Sequence, residues 1–342
     1  MKLISFAIPS YNSEKYLHTA VNSLLVAGKD IEIIIVNDGS KDKTLEIANQ
    51  YKAMYPDIVS VIDKPNGGHG SGVNAGLKVA TGLYYKVVDS DDWLDKDSLL
   101  KFMDVLRMHI MTNQSPDLYI TNFVYEHVED QTMYERDYSE NFPVDQLFDW
   151  NQTLKKFKYS KTLLMHALIY KTKVLRDAGL NLPEHTFYVD NIVAYVPLPF
   201  VKHIYYMKLP LYRYFIGRAD QSVTLKNITK RYQQQIKVYQ LVSSAYSLNQ
   251  INQLPKGLKS YMKHFLSAIM IITQMFTVGE HTKQRQQDLT TLWRDLKKQD
   301  ITMYRFLRYR SYNTWINILP WRIKSFVMVK GYLYLAKKVK LG

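Results

Sequence analysis

The stretch IEIIIVNDGSKDKTLEIANQY, residues 31–51, joins an unbroken apolar run to a polar turn and then to a helical pattern. The run 31–37 is short, rich in isoleucine and stopped by Asn37-Asp38-Gly39-Ser40, so it reads as a strand entering a turn. Leu45, Ala48 and Tyr51 or Tyr55 then share one face of a helix over 44–55. A strand without polar alternation is covered on both faces, which is the environment of a parallel sheet. The same unit recurs on either side. Runs 3–9, 58–63 and 84–89 read as strands, and 14–26 and 70–80 as helices. Such alternation predicts an α/β fold with a doubly wound, mostly parallel sheet and right-handed crossovers.

Three polar motifs fall at the carboxyl ends of these strands: Pro9-Ser10-Tyr11-Asn12, Asn37-Asp38-Gly39-Ser40 and Asp89-Ser90-Asp91-Asp92. Ligands of doubly wound folds bind beyond those ends. Pro9, Tyr11, Asn12, Asp38, Asp89, Ser90 and Asp91 are therefore candidates for one site. The last motif is the most demanding, because three carboxylates within four residues beside a core strand are costly without a compensating cation. Mn2+ or Mg2+ on Asp89 and Asp91 provides one, since these ions take hard oxygen ligands and bind through one or two carboxylates plus substrate phosphates. The competing role is an acidic start to a helix beginning near Lys96, which suits Asp95 and Asp97 better than Asp89. The Asp38 carboxylate could accept paired hydrogen bonds from a base edge or a ribose diol, or it could cap the helix over 44–55.

The segment KPNGGHGSGVNAG, residues 64–76, offers backbone N–H groups that could cradle a phosphate at a helix start. Gly70, Gly72 and Ala75 also satisfy G-x-G-x-x-[GA], and Asp89 ends the next strand, so a dinucleotide-dependent oxidoreductase competes locally. Two features oppose it. The motif begins seven residues past its strand, and a ribose-binding acid needs no further carboxylates beside it.

Composition narrows the classes further. With no cysteine, disulfides, thiolate metal sites and a Cys nucleophile are excluded. No apolar run approaches the roughly 18 residues of a membrane span, and the N-terminus lacks a signal-peptide core, so the expectation is cytoplasmic. Of the 45 Lys and Arg residues, nine lie in 301–342, where there is no Asp or Glu. Without those nine, 36 basic residues face 31 acidic ones. Aromatic residues interleave the basic tail, which fits an interfacial amphipathic helix on the inner face of the cell membrane; the alternative is a helix packed on the domain with solvated lysines. From about Lys226 onward the pattern is helical, giving a division into 1–224 and 225–342.

Taken together, IPSYN (8–12), VNDGSKDKT (36–44), NGGHGSGVNAG (66–76) and DSDDW (89–93) resemble, in order and spacing, the nucleotide-sugar domain of family-2 glycosyltransferases with the GT-A fold. The resemblance covers roughly residues 1–110 and continues weakly to about 224. It implies an inverting, metal-dependent transfer of a hexose or N-acetylhexosamine from a UDP-sugar to a saccharide or glycoconjugate acceptor. By that likeness Asp38 would meet the uracil, and Asn66, Gly68 and Asn74 would line the nucleotide pocket. Asp89 and Asp91 would hold the metal and diphosphate. HTFYVDNIVAYVP (185–197) supplies Asp190 as the base, with Val189 where a second acid often stands and Glu184 as the fallback. Arg218, with Gln221 and Ser222, would meet the leaving phosphates, or Arg218 is a surface residue. The Gln-x-x-Arg-Trp signature of processive synthases is absent, so one sugar per encounter is expected. His166 reads as a satisfied core histidine, with a sugar-pocket role second. The non-enzymatic alternative is a basic membrane-binding protein on the same fold. Nucleic acid is not an expected partner, and a homo-oligomer is left open.

Overall fold

A computed structural model of the chain describes residues 2–127, 131–158, 161–217 and 224–339. It divides into two compact units. One comprises Met1–Glu126, Asp130–Lys155 and Leu163–Phe215; the other comprises His127–Glu129, Lys156–Thr162 and Ile216–Gly342.

The first unit opens with the expected alternation: β1 (Ile4–Ser10), α1 (Leu17–Leu25), β2 (Ile31–Asp38), α2 (Thr44–Met54), β3 (Val59–Lys64), α3 (His69–Val79) and β4 (Tyr84–Val87). Then come β5 (Trp93–Leu94), α4 (Lys96–Met111), β6 (Leu118–His127), β7 (Thr132–Arg136), β8 (Leu147–Phe148), β9 (Leu168–Lys171), α5 (Thr172–Asp177), α6 (Asp190–Tyr195) and β10 (Ile204–Ile216). The sheet runs β3-β2-β1-β4-β9-β6-β10-β5. Its first four strands are parallel, with Ile4 opposite both Ile31 and Tyr84, whereas β9 is antiparallel to β4 and β6. Every residue of β1 is buried, as a strand covered on both faces requires.

Strand order places the site. From β1 the chain steps outward to β2 and β3, then returns to the other side of β1 to lay down β4. The order therefore reverses between β1 and β4, and the crevice beyond their carboxyl ends is where such sheets take ligands. α3 lies against β1 at a distance that side chains would not allow. A Cβ on Gly72 would stand 2.8 Å from Pro9 Cβ, and one on Gly76 would stand 2.7 Å from Ala7 Cβ. This corrects the dinucleotide reading: Gly70, Gly72 and Ala75 lie inside α3, and the first two are small because the helix packs against the strand and the 182–183 segment.

Other local expectations shift. The run 84–89 leaves the sheet after Val87, so Asp89 is free of the ladder. β9 begins only at Leu168, after the tight 3-10 turn of Met165–Ala167. β10 runs on through Pro210. Pro210 falls between the stretch paired with β8 at Ile204 and Tyr205 and the stretch paired with β5 at Tyr212 and Arg213.

The second unit is helical: α7 (Leu225–Lys230), α8 (Tyr232–Ala245), α9 (Leu248–Gln253), α10 (Lys256–Val278), α11 (Lys283–Gln299), α12 (Ile301–Tyr309), α13 (Asn313–Asn317) and α14 (Trp321–Val339). The basic tail is thus three helices rather than one. Asp300 separates α12 from α11, its Oδ1 accepting from the Thr302 and Met303 N–H groups and its Oδ2 from Leu248 N–H.

Candidate active site

Beyond the end of β4 the carboxylates meet imidazoles. His69, the first residue of α3, is positioned by Gly68, whose φ of 82° lies in the left-handed region that favours glycine. Its Nε2 lies 2.7 Å from Asp89 Oδ1, and His166 Nε2 stands 3.7 Å from Asp89 Oδ2. Burial by itself would push the Asp89 carboxyl up, but the two imidazoles outweigh it and hold the group far below the ordinary carboxylate range. Burial likewise disfavours the charged His69 ring. The Asp89 carboxylate, then the charges of Asp190 and Asp91, reverse that and raise it. Three carboxylates therefore act on one histidine, and each favours its protonated form.

Asp92 has a different part. It is fully buried, and both oxygens are used: Tyr212 O–H donates to Oδ2 at 2.6 Å and Phe215 N–H to Oδ1 at 2.8 Å. Tyr212 Oη also accepts the Asp89 N–H at 3.1 Å. Burial, then Asp91 and Asp89, pushes Asp92 well above the ordinary carboxylate value. Asp92 thus ties β10 to the acidic turn. Beneath it, Lys86 Nζ donates to the His166 carbonyl at 2.7 Å and lies 5.0 Å from the Tyr212 ring centre. Burial pulls the Lys86 ammonium down to about 7, against the raising influence of Asp89.

His166 is not a satisfied core histidine. It stacks on Tyr214 at 4.7 Å, meets Tyr212 edge-on at 4.8 Å, and keeps a buried Nδ1 with no hydrogen-bond partner among the described residues. Asp190 opens α6, half-buried, with Oδ1 accepting from Asn191 Nδ2 at 3.2 Å. Burial raises its carboxyl; His166 and His69 pull it back, Asp89 adds to the rise, and the net direction is upward.

Around Asp38 the arrangement differs from the expectation. Its carboxylate is buried and takes Lys64 Nζ at 2.7 Å, Gly67 N–H at 2.9 Å and Gly68 N–H at 2.7 Å. The amides expected to cradle a phosphate at 67 and 68 are therefore spent on Asp38, and Asn66 Nδ2 binds its carbonyl at 2.8 Å. A carboxylate has about four lone-pair positions, so Asp38 keeps little for a base edge in this conformation. Nor does it cap α2, because Asp42 accepts the Thr44 N–H and hydroxyl.

The remaining candidates separate. Pro9 backs α3, Tyr11 is about half exposed, and Asn12 at φ 51° joins Ser40 and Lys41 through its N–H and Oδ1. Ser90 meets Ser13 at 2.7 Å, linking the ends of β1 and β4. Asn74 spends both polar ends on the 181–182 segment, so it clamps that segment rather than lining a pocket. Glu184 is exposed and accepts from Ser71. Arg218, Gln221 and Ser222 lie outside the described residues. Sequence reasoning missed His69, Lys86 and Tyr212. A histidine at the head of a glycine-lined helix, facing an acidic strand end, was the available signal for the first.

The donor set fits a divalent cation. Ligand atoms of Asp89, Asp92 and His166 lie within 4.8 Å of one another among the described residues. Asp92 is buried with both oxygens hydrogen-bonded, whereas Asp89 and Asp91 are partly exposed at the end of β4. The carboxylate oxygens are the hard donors that suit Mn2+ or Mg2+.

Known proteins resemble the chain in sequence and in fold. A family model described as glycosyl transferase family 2 matches residues 5–163. The chain is 30% identical over 227 residues to the uncharacterized glycosyltransferase MG025 of Mycoplasma genitalium, covering 65% of this chain and 70% of that one. It is 26% identical over 291 residues to the putative glycosyltransferase EpsH of Bacillus subtilis, covering 81% and 77%. Its fold is similar to that of S. aureus TarS 1–349, solved with UDP-GlcNAc, at a TM-score of 0.64 and 18% identity over 99% of this chain and 92% of that one. The architecture is the GT-A type expected from the motifs. By its sequence, with the fold in agreement, the chain belongs to glycosyl transferase family 2.

Proposed function

We propose that the chain moves a hexose or N-acetylhexosamine from a UDP-sugar to a hydroxyl of a saccharide acceptor, with inversion, in glycoconjugate or surface polysaccharide synthesis. One observation carries this reading: Asp190, 99 residues beyond Asp91 in sequence, shares the electrostatic neighbourhood of Asp89 and His69 at the switch point of the sheet. Asp190 would take the proton of the acceptor hydroxyl as its oxygen attacks the anomeric carbon from the face opposite the diphosphate. The bond from that carbon to the UDP oxygen breaks as the new one forms, and the electron pair leaves with UDP. A carboxyl raised by burial is a stronger base for the acceptor proton than an ordinary aspartate. Asp89 and Asp91 would hold Mn2+ or Mg2+, which would supply charge neutralisation at the departing diphosphate. His69 and Lys86 keep Asp89 and the His166 turn in place. The UDP-GlcNAc complex of a protein with the same fold supports the donor class.

The test is thermal shift with UDP and Mn2+, set against GDP with Mn2+ and against NAD+, because a ligand that binds only the native state raises apparent stability. UDP with Mn2+ should raise the melting temperature and NAD+ should not. A shift with GDP alone moves the donor class, and a shift with NAD+ alone overturns the reading.

A further inference from the structure

We propose that the outward face of α12–α14 docks on an anionic lipid bilayer. α14 is packed inside out. Lys324, Ser325 and Met328 are buried, while Phe326 is 65% exposed and Tyr334 70%. Burial, with the charge of Arg308, pulls the Lys324 ammonium down to about 8. A helix that turns an ammonium inward and aromatic rings outward has its apolar contact still to make. The preceding turns also carry exposed apolar side chains, with Trp315 72% exposed and Ile318 68%. Single exposed apolar residues are ordinary, but an array of them marks an interaction surface.

Charge selects the occupant. Residues 301–342 hold nine Lys or Arg and no Asp or Glu, and Arg322 and Lys330 stand on the same exposed side as Phe326, with Lys330 Nζ 5.9 Å from its ring centre. A second copy would bring the same sign of charge, which repels. An anionic leaflet brings the opposite sign, and its headgroup region accepts aromatic rings beside cations. Among the described residues no helix is long and apolar enough to cross a membrane, so the contact is with the surface.

The experiment is cosedimentation of the full chain with vesicles of phosphatidylcholine mixed with phosphatidylglycerol, and with phosphatidylcholine alone. Binding should need the anionic lipid and should fall as added salt shortens the Debye length from roughly 10 Å at 0.1 M to roughly 3 Å at 1 M. Each basic side chain at such a surface changes partitioning about fivefold, so Arg322→Glu with Lys330→Glu should weaken binding at least tenfold. Both positions are exposed, and an unchanged thermal melt checks that the variant folds. Phe326→Ser with Tyr334→Ser should also weaken binding, which tests the apolar half independently. Equal binding to neutral vesicles, or wild-type binding by the charge-reversed chain, overturns the proposal. So does a dimer that Phe326→Ser dissociates without any vesicle binding, which would assign the face to a second copy.

Discussion

Asp89 and Asp190 are both carboxylates partly screened from water, yet their affinities for protons move in opposite directions. Asp89 has His69 hydrogen-bonded at 2.7 Å, which outweighs its burial; for Asp190 burial outweighs the pull of the same two imidazoles. The sign for activity follows. A base works only when ionised, and the folded value of Asp190 lies above the ordinary 3.8, so kcat/KM should fall as pH drops through that raised value. A pH profile whose acid limb lies at or below 3.8 contradicts the assignment. Asp91 gives a second expectation: Asp91→Asn should weaken UDP binding when Mn2+ is present and leave it unchanged when EDTA is added, measured by calorimetry. Equal weakening in both conditions would make Asp91 a direct nucleotide contact instead. The carboxylates were legible because a cluster of like charge demands a partner. The partner itself was not, since His69 is chemically unremarkable in its loop until α3 starts at it and β4 ends opposite.

At the scale of elements, α3 shows what periodicity can and cannot report. Glycines 70 and 72 could be read as part of a phosphate loop, and only the packing of the helix against β1 and the 182–183 segment reveals why they are small. Gly76→Ala would place a Cβ 2.7 Å from Ala7 Cβ and 2.9 Å from Tyr85 Oη, which should cost about 1–3 kcal/mol as overpacking. Gly331→Ala in α14, with nothing within 4 Å of the new Cβ, should instead gain up to about 1 kcal/mol of helix propensity. Urea unfolding of the two variants at unchanged m compares them, and a neutral Gly76→Ala would refute the close packing. The strand at 31–37 and the helix at 44–55 were legible to within a residue, because both have covered faces and clear stops. β10 was not, since its pairing with β5 and β8 is non-local and Pro210 mimics a break. The 3-10 turn at Met165–Ala167 escaped for a related reason: an apolar run looks like a strand until His166 is turned toward Asp89.

Across the whole molecule, charge and chemistry are carried by different parts of the chain. Residues 1–300 have 36 basic against 31 acidic side chains and contain every candidate catalytic group, whereas 301–342 add nine positive charges and none of those groups. On the proposed reading, the site would handle an anionic diphosphate with local cations rather than with the field of the whole protein. The family was legible from four short motifs because they lie at strand ends that the fold must bring together. The sugar and the acceptor were not, since they depend on pocket shape that no short motif encodes. The central claim is that Asp190 performs the proton transfer while the donor is held by other residues. Comparing wild type with Asp190→Asn tests it most directly, with turnover measured on a UDP-sugar and a saccharide acceptor, and UDP affinity by calorimetry in Mn2+. Turnover should fall by at least about a hundredfold while UDP affinity stays within about twofold of wild type. Unchanged turnover, or a parallel loss of UDP affinity, would contradict the account.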